Sequence, residues 1–167
     1  MAKKPREAEG TPALRELARA NIAVTVHAFE HDPRVTDFGA EAAHALGANP
    51  ERVFKTLLIR VDGGFGCAVL PVTAQLDLKA AAAALGGKRA QLADTADAER
   101  RTGYVRGGIS PIGQRLPSPT VIDSSADAHA TVFVSGGKRG LDLELSPAAL
   151  VTATAAVTAR ITRNAEA

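Results

Sequence analysis

The chain has 167 residues, of which 46% are hydrophobic and 23% are charged, a composition typical of a globular domain rather than a disordered segment. No apolar run approaches the roughly 20 residues of a membrane span, and the charged opening segment lacks the hydrophobic stretch of a signal peptide, so we expect a cytoplasmic protein with no membrane partner. The formal charge of +2 is too small for general binding of duplex DNA, so an RNA partner would have to be held by local basic patches.

Helix caps and alternating apolar residues define the elements predicted in the first half of the chain. Residues 1–10 are charged and aperiodic and are predicted to form a loose tail ahead of one domain at 11–163. Thr11 and Pro12 are typical of a helix start. The predicted elements are a helix from Thr11 to Asn21, a strand at 22–28, a helix at 36–46 that Gly47 closes, a helical turn at 49–51, and a hairpin of strands 53–61 and 65–72.

The second half of the chain is predicted to contain more helices, short strands and one long loop. The loop at 103–119 is dense in Gly, Pro and Ser, and loops of this length in small domains are usually functional. The predicted helices lie at 77–85, 94–102 and from Ser146 to about Ile161, and the predicted strands lie at 120–123, 131–135 and 141–145, the last two joined by a turn at 136–140. Because strands outnumber those of a βαβ pattern, we predict an α+β fold: a single domain with a mixed, mostly antiparallel sheet and flanking helices.

Two histidines match the metalloprotease pattern H-x-x-E-H at His27 and His31. That pattern binds zinc only on a helix, where residues four apart lie about 6 Å from each other. At the end of the predicted strand the two residues would lie about 13 Å apart and could not share one ion. We therefore interpret them as surface or pocket-lining histidines and expect neither a metal nor another cofactor.

The single cysteine, Cys67, lies in an apolar segment of a predicted strand. No sequence signature pairs it with a histidine, so a buried structural thiol is a better interpretation than a nucleophile. One cysteine also excludes an internal disulfide and a multi-thiolate zinc site.

Lys55 is a candidate functional residue because of the strand face that it occupies. Alternation places it on one face of strand 53–61 with apolar residues such as Leu57 and Ile59. A lysine in that position is paired, extends its stem to solvent, or lines a cavity. The alternative is that Lys55 lies near the strand start and simply reaches solvent, and the residues alone leave both interpretations open.

The segment 106–113 reads Arg-Gly-Gly-Ile-Ser-Pro-Ile-Gly, a composition that lets the backbone approach a ligand closely. Its N–H groups are suited to a carbonyl, a carboxylate or an oxyanion. A plain surface turn is the alternative, although such a turn needs fewer glycines.

Six short motifs, taken together and in order, resemble those of one enzyme family. They are Glu30-His31-Asp32-Pro33, Val53-Phe54-Lys55-Thr56-Leu57, Gln75-Leu76-Asp77-Leu78-Lys79, Thr102-Gly103-Tyr104, Gly107-Gly108-Ile109-Ser110-Pro111-Ile112-Gly113-Gln114 and Val134-Ser135-Gly136-Gly137-Lys138-Arg139-Gly140-Leu141-Asp142. The chain is similar to the YbaK/EbsC-type Cys-tRNA deacylases of the prolyl-tRNA synthetase editing-domain superfamily. The resemblance covers nearly the whole chain after the tail. It implies a hydrolase that acts in trans on mischarged tRNA, chiefly cysteine esterified to proline tRNA and possibly to cysteine tRNA, and so protects translation fidelity.

The resemblance also implies roles for individual residues. The essential lysine of the family falls on Lys55, and its glycine–proline loop falls on Gly107, Gly108 and Pro111, which makes these four the implied catalytic set. The implied substrate-binding residues are Phe29, His31, Thr56, Ile109, Ser110, Ser135 and Asp142. Related enzymes can carry tyrosine at the position of Phe29, so a hydroxyl is lost there and Phe29 contributes only shape.

The implied reaction demands little of the protein because an aminoacyl ester is already activated. Family precedent implies that the thiol of the substrate attacks the carbonyl to give a thiolactone, with positioning and charge stabilisation left to the enzyme. Water is the alternative nucleophile. Two alternative functions remain: the same reaction on alanine or another small aminoacyl-tRNA, and a non-catalytic module that binds aminoacyl-tRNA or a synthetase.

Binding of tRNA is predicted to depend on basic residues, because aromatic residues make up only 4% of the chain, too few for broad base stacking. The candidates are Lys88, Arg89, Arg101, Arg106, Arg115, Lys138 and Arg139. The expected affinity for the acceptor end is weak and strongly dependent on salt. Prolyl-tRNA synthetase is then an expected partner that would supply tRNA identity.

Overall fold

Ten strands and five α-helices are formed by residues 10–163, the part of the chain that the computed structural model describes. The helices are α1 (Pro12–Arg19), α2 (Phe38–Leu46), α3 (Leu78–Ala84), α4 (Thr95–Thr102) and α5 (Pro147–Thr154). The strands are β1 (Thr25–Ala28), β2 (Phe54–Val61), β3 (Gly64–Pro71), β4 (Gln75–Leu76), β5 (Ala90–Leu92), β6 (Thr120–Asp123), β7 (Val132–Lys138), β8 (Leu141–Leu145), β9 (Val157–Ala159) and β10 (Thr162–Arg163). The predicted tail at 1–10 lies, apart from Gly10, outside the described residues. None of the helices described is both long and apolar enough to cross a bilayer.

The strands are arranged in three sheets. The largest has the order β5-β2-β3-β6-β9, with antiparallel pairing on both sides of β2 and parallel pairing on both sides of β6. A second sheet has the antiparallel order β1-β8-β7, and β10 pairs with β4 in a third. An isolated parallel bridge between Val53 and Phe133 connects the two larger sheets. The prediction of an α+β fold with mixed, mostly antiparallel pairing is confirmed.

Side-chain caps explain where the helices begin. In each of the five helices, the residue before the first turn accepts a hydrogen bond from a backbone N–H three residues later. These caps are Thr11, Asp37, Asp77, Asp94 and Ser146. The first N–H groups of a helix have no partner within it, so such caps stabilise the start. The structure differs from the prediction at α2, which begins at Phe38 because Asp37, rather than Thr36, is the cap.

The two faces of the largest sheet are buried in different apolar clusters. On β3, Cys67 and Val69 pack into a cluster shared with β7, β8, α1 and α5, whereas Ala68 and Leu70 pack into one beneath α3. Since successive side chains of a strand point to opposite faces, β3 is buried on both sides. A third, smaller cluster lies beneath α2 and includes Val53.

The C-terminal segment contradicts the prediction of one helix to about Ile161. Helix α5 ends at Thr154, because Ala155 adopts a left-handed conformation with φ of 53°. The chain then forms β9, which pairs in parallel with the free edge of β6. Its β-branched residues favour this extended conformation, and Ile161 beyond it is fully buried. Tertiary pairing therefore overrides the alanine-rich composition.

Two other predicted boundaries, at the start of β1 and in the β7–β8 hairpin, were also wrong. The strand predicted at 22–28 begins only at Thr25, and its half-buried residue is His27, while Val26 on the predicted apolar face is 39% exposed. The turn predicted at 136–140 is shorter, because β7 continues to Lys138 through an irregularity after Ser135. The short strands β4 and β5 were not predicted, since two or three residues carry no readable alternation.

Candidate active site

A cleft of about 430 Å³ opens beside the start of β2. It is lined by β2, by the start of α2, by the loop at 103–119 and by the β7–β8 hairpin. Six of the residues predicted for catalysis or substrate binding line it: Lys55, Thr56, Gly107, Ile109, Ser135 and Asp142. The volume lies within the range of small-molecule sites, so the structure brings these residues together in one candidate site.

Lys55 lines this cleft from the second position of β2, where it pairs with Leu70 of β3. Its strand neighbours Leu57 and Ile59 pack into the cluster beneath α3, as the alternation predicts. Burial lowers the pKa of the Lys55 ammonium, and the nearby carboxylate of Asp37 opposes that shift. Of the two interpretations of Lys55, the structure therefore favours the cavity-lining one.

Thr56 lines the same cleft and carries an unpaired polar atom. Its Oγ1 is buried and has no hydrogen-bond partner among residues 10–163. A buried hydroxyl without a partner costs about 1–3 kcal/mol. Because the oxygen is buried, a ligand in the cleft reaches it only if the Thr56 side chain turns.

The glycine loop brings two unpaired backbone donors to the cleft. Gly107 has φ of 85°, a left-handed conformation that favours glycine. The N–H groups of Gly107 and Ile109 donate to no acceptor within the described part of the chain, whereas the Gly108 N–H donates to the Val105 carbonyl over 2.8 Å. The two unpaired N–H groups are therefore available to a carbonyl or oxyanion of a ligand.

Ser135 and Asp142 lie opposite each other in the β7–β8 ladder and line the side of the cleft formed by that hairpin. The Ser135 Oγ accepts a hydrogen bond from the Gly137 N–H at 3.2 Å. Asp142 is only 7% exposed, and this burial raises its pKa to about 7 although His27 opposes the shift. Its carboxyl can therefore exchange a proton near neutral pH or accept a hydrogen bond from a ligand.

The sequence matches known proteins over most of its length, including every residue that lines this cleft. The model of the aminoacyl-tRNA editing domain matches residues 32–153. The chain belongs to this family. It is an aminoacyl-tRNA deacylase, and deacylation of mischarged tRNA maintains translational fidelity.

Relatives and solved structures agree with this membership. A protein of Enterococcus faecalis with the provisional name Cys-tRNA(Pro)/Cys-tRNA(Cys) deacylase EbsC is 36% identical over 164 residues, which are 97% of this chain and 98% of that protein. The crystal structure of hypothetical protein APE2540 has a TM-score of 0.82 at 27% identity and covers 91% of this chain and 99% of its own. A structure described provisionally as a trans-editing enzyme for prolyl tRNA synthetase has a TM-score of 0.80 at 24% identity, with coverage of 98% and 100%, and shows the shared fold.

Three other loop residues shape the editing cleft without lining it. Gly108 packs so closely on the β7–β8 hairpin that a Cβ there would lie 2.7 Å from the Lys138 Cα. Ser110 is fully buried, and its Oγ accepts a hydrogen bond from the Ile112 N–H at 3.2 Å. Pro111 lines a separate groove of about 360 Å³ beside α1. These three residues do not line the cleft, because Gly108 faces the hairpin and the loop turns into the core after Ile109. Their contacts with substrate stay a prediction.

A buried tyrosine anchors this loop in the editing domain. The Tyr104 hydroxyl donates a hydrogen bond to the Ile112 carbonyl at 2.7 Å. Burial raises its pKa to about 12, so the hydroxyl keeps its proton and remains a donor. The contact holds the far end of the loop against the apolar cluster that β3 shares with β7, β8, α1 and α5.

Phe29, His31 and Cys67 do not line the cleft of the editing domain. Phe29 packs into the cluster beneath α2, and His31 is bonded to Glu41 through Nδ1 and Oε1 at 2.6 Å. His27, the other histidine of the zinc-like pattern, bonds instead to Glu144. Cys67 is buried, which confirms the structural interpretation, and burial raises its pKa to about 11.

Six of the seven basic candidates divide into two groups, and the seventh, Lys138, ends β7, where its backbone packs against Gly108. Arg106 lines the cleft, and Arg139 lies at its mouth with its Nε donating to the Arg106 carbonyl at 2.7 Å. Lys88 and Arg89 instead donate their backbone N–H groups to Asp62, in the turn of the β2–β3 hairpin. That turn is roughly 20 Å along β2 from Lys55, at about 3.4 Å per residue. Arg101 lies over the Phe65 ring at 4.4 Å, also outside the cleft, and Arg115 is not among the cleft residues.

Sequence reasoning missed Asp37 and Phe38, which line the cleft at the start of α2. Asp37 caps the helix and acts electrostatically on Lys55, and the Phe38 ring packs against Gly107. An aspartate before a helix-forming segment is a readable cap signal. Their approach to Lys55 and Gly107, however, is a tertiary contact with no local signature.

Proposed function

We propose that this editing domain, formed by residues 11–163, removes cysteine in trans from mischarged proline tRNA. The observation that carries the proposal is the shared cleft, in which the Lys55 ammonium lies with the unpaired N–H groups of Gly107 and Ile109. A cation and preorganised backbone donors are the groups that stabilise negative charge as an ester is attacked. The name of the Enterococcus faecalis relative supports cysteine as the amino acid and proline tRNA as one carrier.

In the proposed mechanism, the N–H groups of Gly107 and Ile109 donate to the ester carbonyl oxygen as it becomes an oxyanion. Lys55 adds a positive charge whose strength is increased by the partly buried surroundings. Asp142 accepts a hydrogen bond from the α-amino group, and the Thr56 side chain forms part of the wall against which the substrate packs. The protein thus supplies positioning and charge stabilisation.

The substrate itself supplies the nucleophile in this proposal. The cysteine sulfur attacks the ester carbonyl, a carbon–sulfur bond forms, and the bond from that carbon to the ribose oxygen breaks. The thiol proton ends on the ribose oxygen, which releases tRNA and a thiolactone that water opens to free cysteine. Of the described residues that line the cleft, none is Cys or His, which supports a nucleophile brought by the substrate.

The first test is single-turnover hydrolysis of a panel of charged tRNAs. We expect the hydrolysis rate to be highest for Cys-tRNA(Pro), lower for Cys-tRNA(Cys) and much lower for Ala-tRNA(Pro) and S-methylcysteinyl-tRNA(Pro). EDTA should not change these rates. Hydrolysis of the alanyl or S-methylcysteinyl ester at the rate of the cysteinyl ester would favour water over the thiol. Stoichiometric binding of every substrate without turnover would instead support a non-catalytic module.

The second test removes the cation. Lys55→Ala is expected to lower the hydrolysis rate about 10²- to 10³-fold, as for loss of other preorganised charge-stabilising groups. Lys79→Ala is the matched control, because Lys79 is an exposed lysine on α3 outside the cleft. A folded Lys55→Ala protein with the rate of the control would overturn the proposed role.

We further propose that the deacylase acts in the cytoplasm and takes its tRNA from prolyl-tRNA synthetase. The support is the division of the basic residues, since Arg106 and Arg139 lie at the cleft whereas Lys88, Arg89 and Arg101 lie away from it. So few cations bind RNA weakly. Sedimentation of deacylase, synthetase and tRNA should show a ternary complex, and independent sedimentation of all three at micromolar concentration would contradict the partnership.

A further inference from the structure

Arg139 is held over an aromatic ring at the mouth of the cleft. The carbon of its guanidinium group lies 4.9 Å from the centroid of the Phe38 ring. Its Nε donates to the Arg106 carbonyl at 2.7 Å. The residue is nevertheless exposed, so the outer side of a fixed guanidinium group is open to solvent.

One peptide unit connects this arginine to the candidate oxyanion donors. The Arg106 carbonyl and the Gly107 N–H belong to the same peptide bond, and the structure has no cis peptide among the described residues. In a trans peptide the two groups point in opposite directions. The carbonyl therefore holds Arg139 on one side, while the N–H points to the other, unpaired.

The Phe38 ring packs against both Arg139 and Gly107 and so restricts the movement of each. A Cβ on Gly107 would lie 2.7 Å from the Phe38 ring, so ring and peptide are in close contact. The His31 ring packs against Phe38 with centroids 5.7 Å apart, and His31 is itself fixed by Glu41. The guanidinium, the ring and the Gly107 donor are thus held as a unit.

We propose that the outer face of the Arg139 guanidinium stacks on the 3′-terminal base of the aminoacyl-tRNA, with the Phe38 ring as the layer beneath it. This inference rests on the proposed function. The aminoacyl ester is carried by the ribose of the terminal nucleotide, so its base lies one sugar away from the carbonyl that Gly107 would hold. Nucleobases stack on arginine planes as well as on aromatic rings, and arginine offers a flat, delocalised cation that lysine lacks.

The test separates stacking from a simple charge contact with phosphate. The substrates are chemically charged cysteinyl minihelices that end in adenosine or in an abasic ribose. Arg139→Lys keeps the charge and loses the plane, so kcat/KM for the adenosine substrate should fall roughly 5- to 150-fold, the usual range for one stacked base. The abasic substrate should be hydrolysed equally by wild type and variant, and the salt dependence should be unchanged because the charge is kept.

Two outcomes would overturn the inference. Full activity of Arg139→Lys, combined with a loss and a shallower salt dependence in Arg139→Ala, would assign Arg139 to a phosphate. An equal loss on both substrates would show that Arg139 acts only on the position of Gly107. Arg60→Lys is the matched control, since Arg60 lies over the Phe65 ring at 5.2 Å outside the cleft, and it should behave as wild type.

A binding measurement keeps this inference separate from the proposed function. The affinities of uncharged minihelices with and without the terminal base are measured in the absence of any hydrolysis. Wild type should bind the minihelix with the base more tightly, and Arg139→Lys should bind both equally. If wild type hydrolyses nothing but shows this preference, the catalytic proposal fails and the stacking holds. If wild type hydrolyses the cysteinyl ester but has no preference for the base, the stacking fails alone.

Discussion

The buried carboxyl of Asp142 should make the stability of the protein depend on pH. Burial raises its pKa from the usual 3.8 to about 7, so the folded state holds this proton more tightly than the unfolded state does. A group with a raised pKa in the folded state stabilises it fully below the pKa of the unfolded state. That contribution is lost as pH rises through the pKa of the folded state, here between pH 4 and about pH 7.

The size of the effect follows from the difference between the pKa values of Asp142 in the folded and unfolded states. From pH 5 the free energy of unfolding should fall by about 1.4 kcal/mol per pH unit, with the slope halved at the folded pKa, so that the fall by pH 7 is about 2 kcal/mol. Asp142→Asn preserves the shape of the side chain but cannot ionise. The free energy of unfolding of the variant should therefore not show this decrease with pH. Wild type should become less stable than the variant as its buried carboxylate becomes charged.

Urea unfolding at several pH values from 5 to 8 measures the difference directly. Subtracting the variant from wild type removes the groups that titrate identically in both, and Asp127→Asn, at an exposed position, controls for the loss of one carboxylate. Because His27 acts on Asp142, wild type and variant should also be compared in a His27→Gln background. Parallel pH profiles of wild type and Asp142→Asn would refute the reasoning.

Three further substitutions test other parts of the structure. Gly107→Ala should cost about 1–3 kcal/mol in urea unfolding as well as activity, because it combines φ of 85° with a Cβ 2.7 Å from the Phe38 ring; unchanged stability would contradict this packing. Tyr104→Phe should lower thermal stability by about 1–3 kcal/mol, since it leaves the Ile112 carbonyl without its donor, and a melting curve identical to wild type would show that water replaces the hydroxyl. Cys67→Ala should retain deacylation, and native Cys67 should resist alkylation at neutral pH because its thiol is buried with a pKa of about 11; rapid labelling of the folded protein would be the contrary result.

Elements whose signals are local could be predicted from the sequence. The start of α1 is determined by Thr11 and the end of α2 by Gly47, which has φ of 60°, and both are determined by residues within one turn. The extent of α5 could not be predicted in this way. The residues after Ala155 form a strand only because β6 presents a free edge to them.

The same distinction applies to the site. Alternation alone shows Lys55 as a cation on an apolar face, but only the family resemblance implied that it is essential. The tetrapeptide Gly-Gly-Lys-Arg, in contrast, occurs twice, at 86–89 and at 136–139. The second copy places Arg139 over Phe38 at the cleft, whereas the first lies beside the β2–β3 turn. Identical local sequence therefore gave no means of choosing between them, because the tertiary fold decides which copy lies at the cleft.

The late position of β9 in the chain has a consequence for synthesis. During translation the sheet can form as far as β6, but the edge of β6 stays open until residues 157–159 have emerged and paired with it. Ile161, which seals the cluster beneath α3, follows later still. An unpaired strand edge beside exposed apolar surface is a template for association between chains. A chain truncated before residue 157 should therefore aggregate, although every residue that lines the cleft, up to Asp142, precedes the truncation.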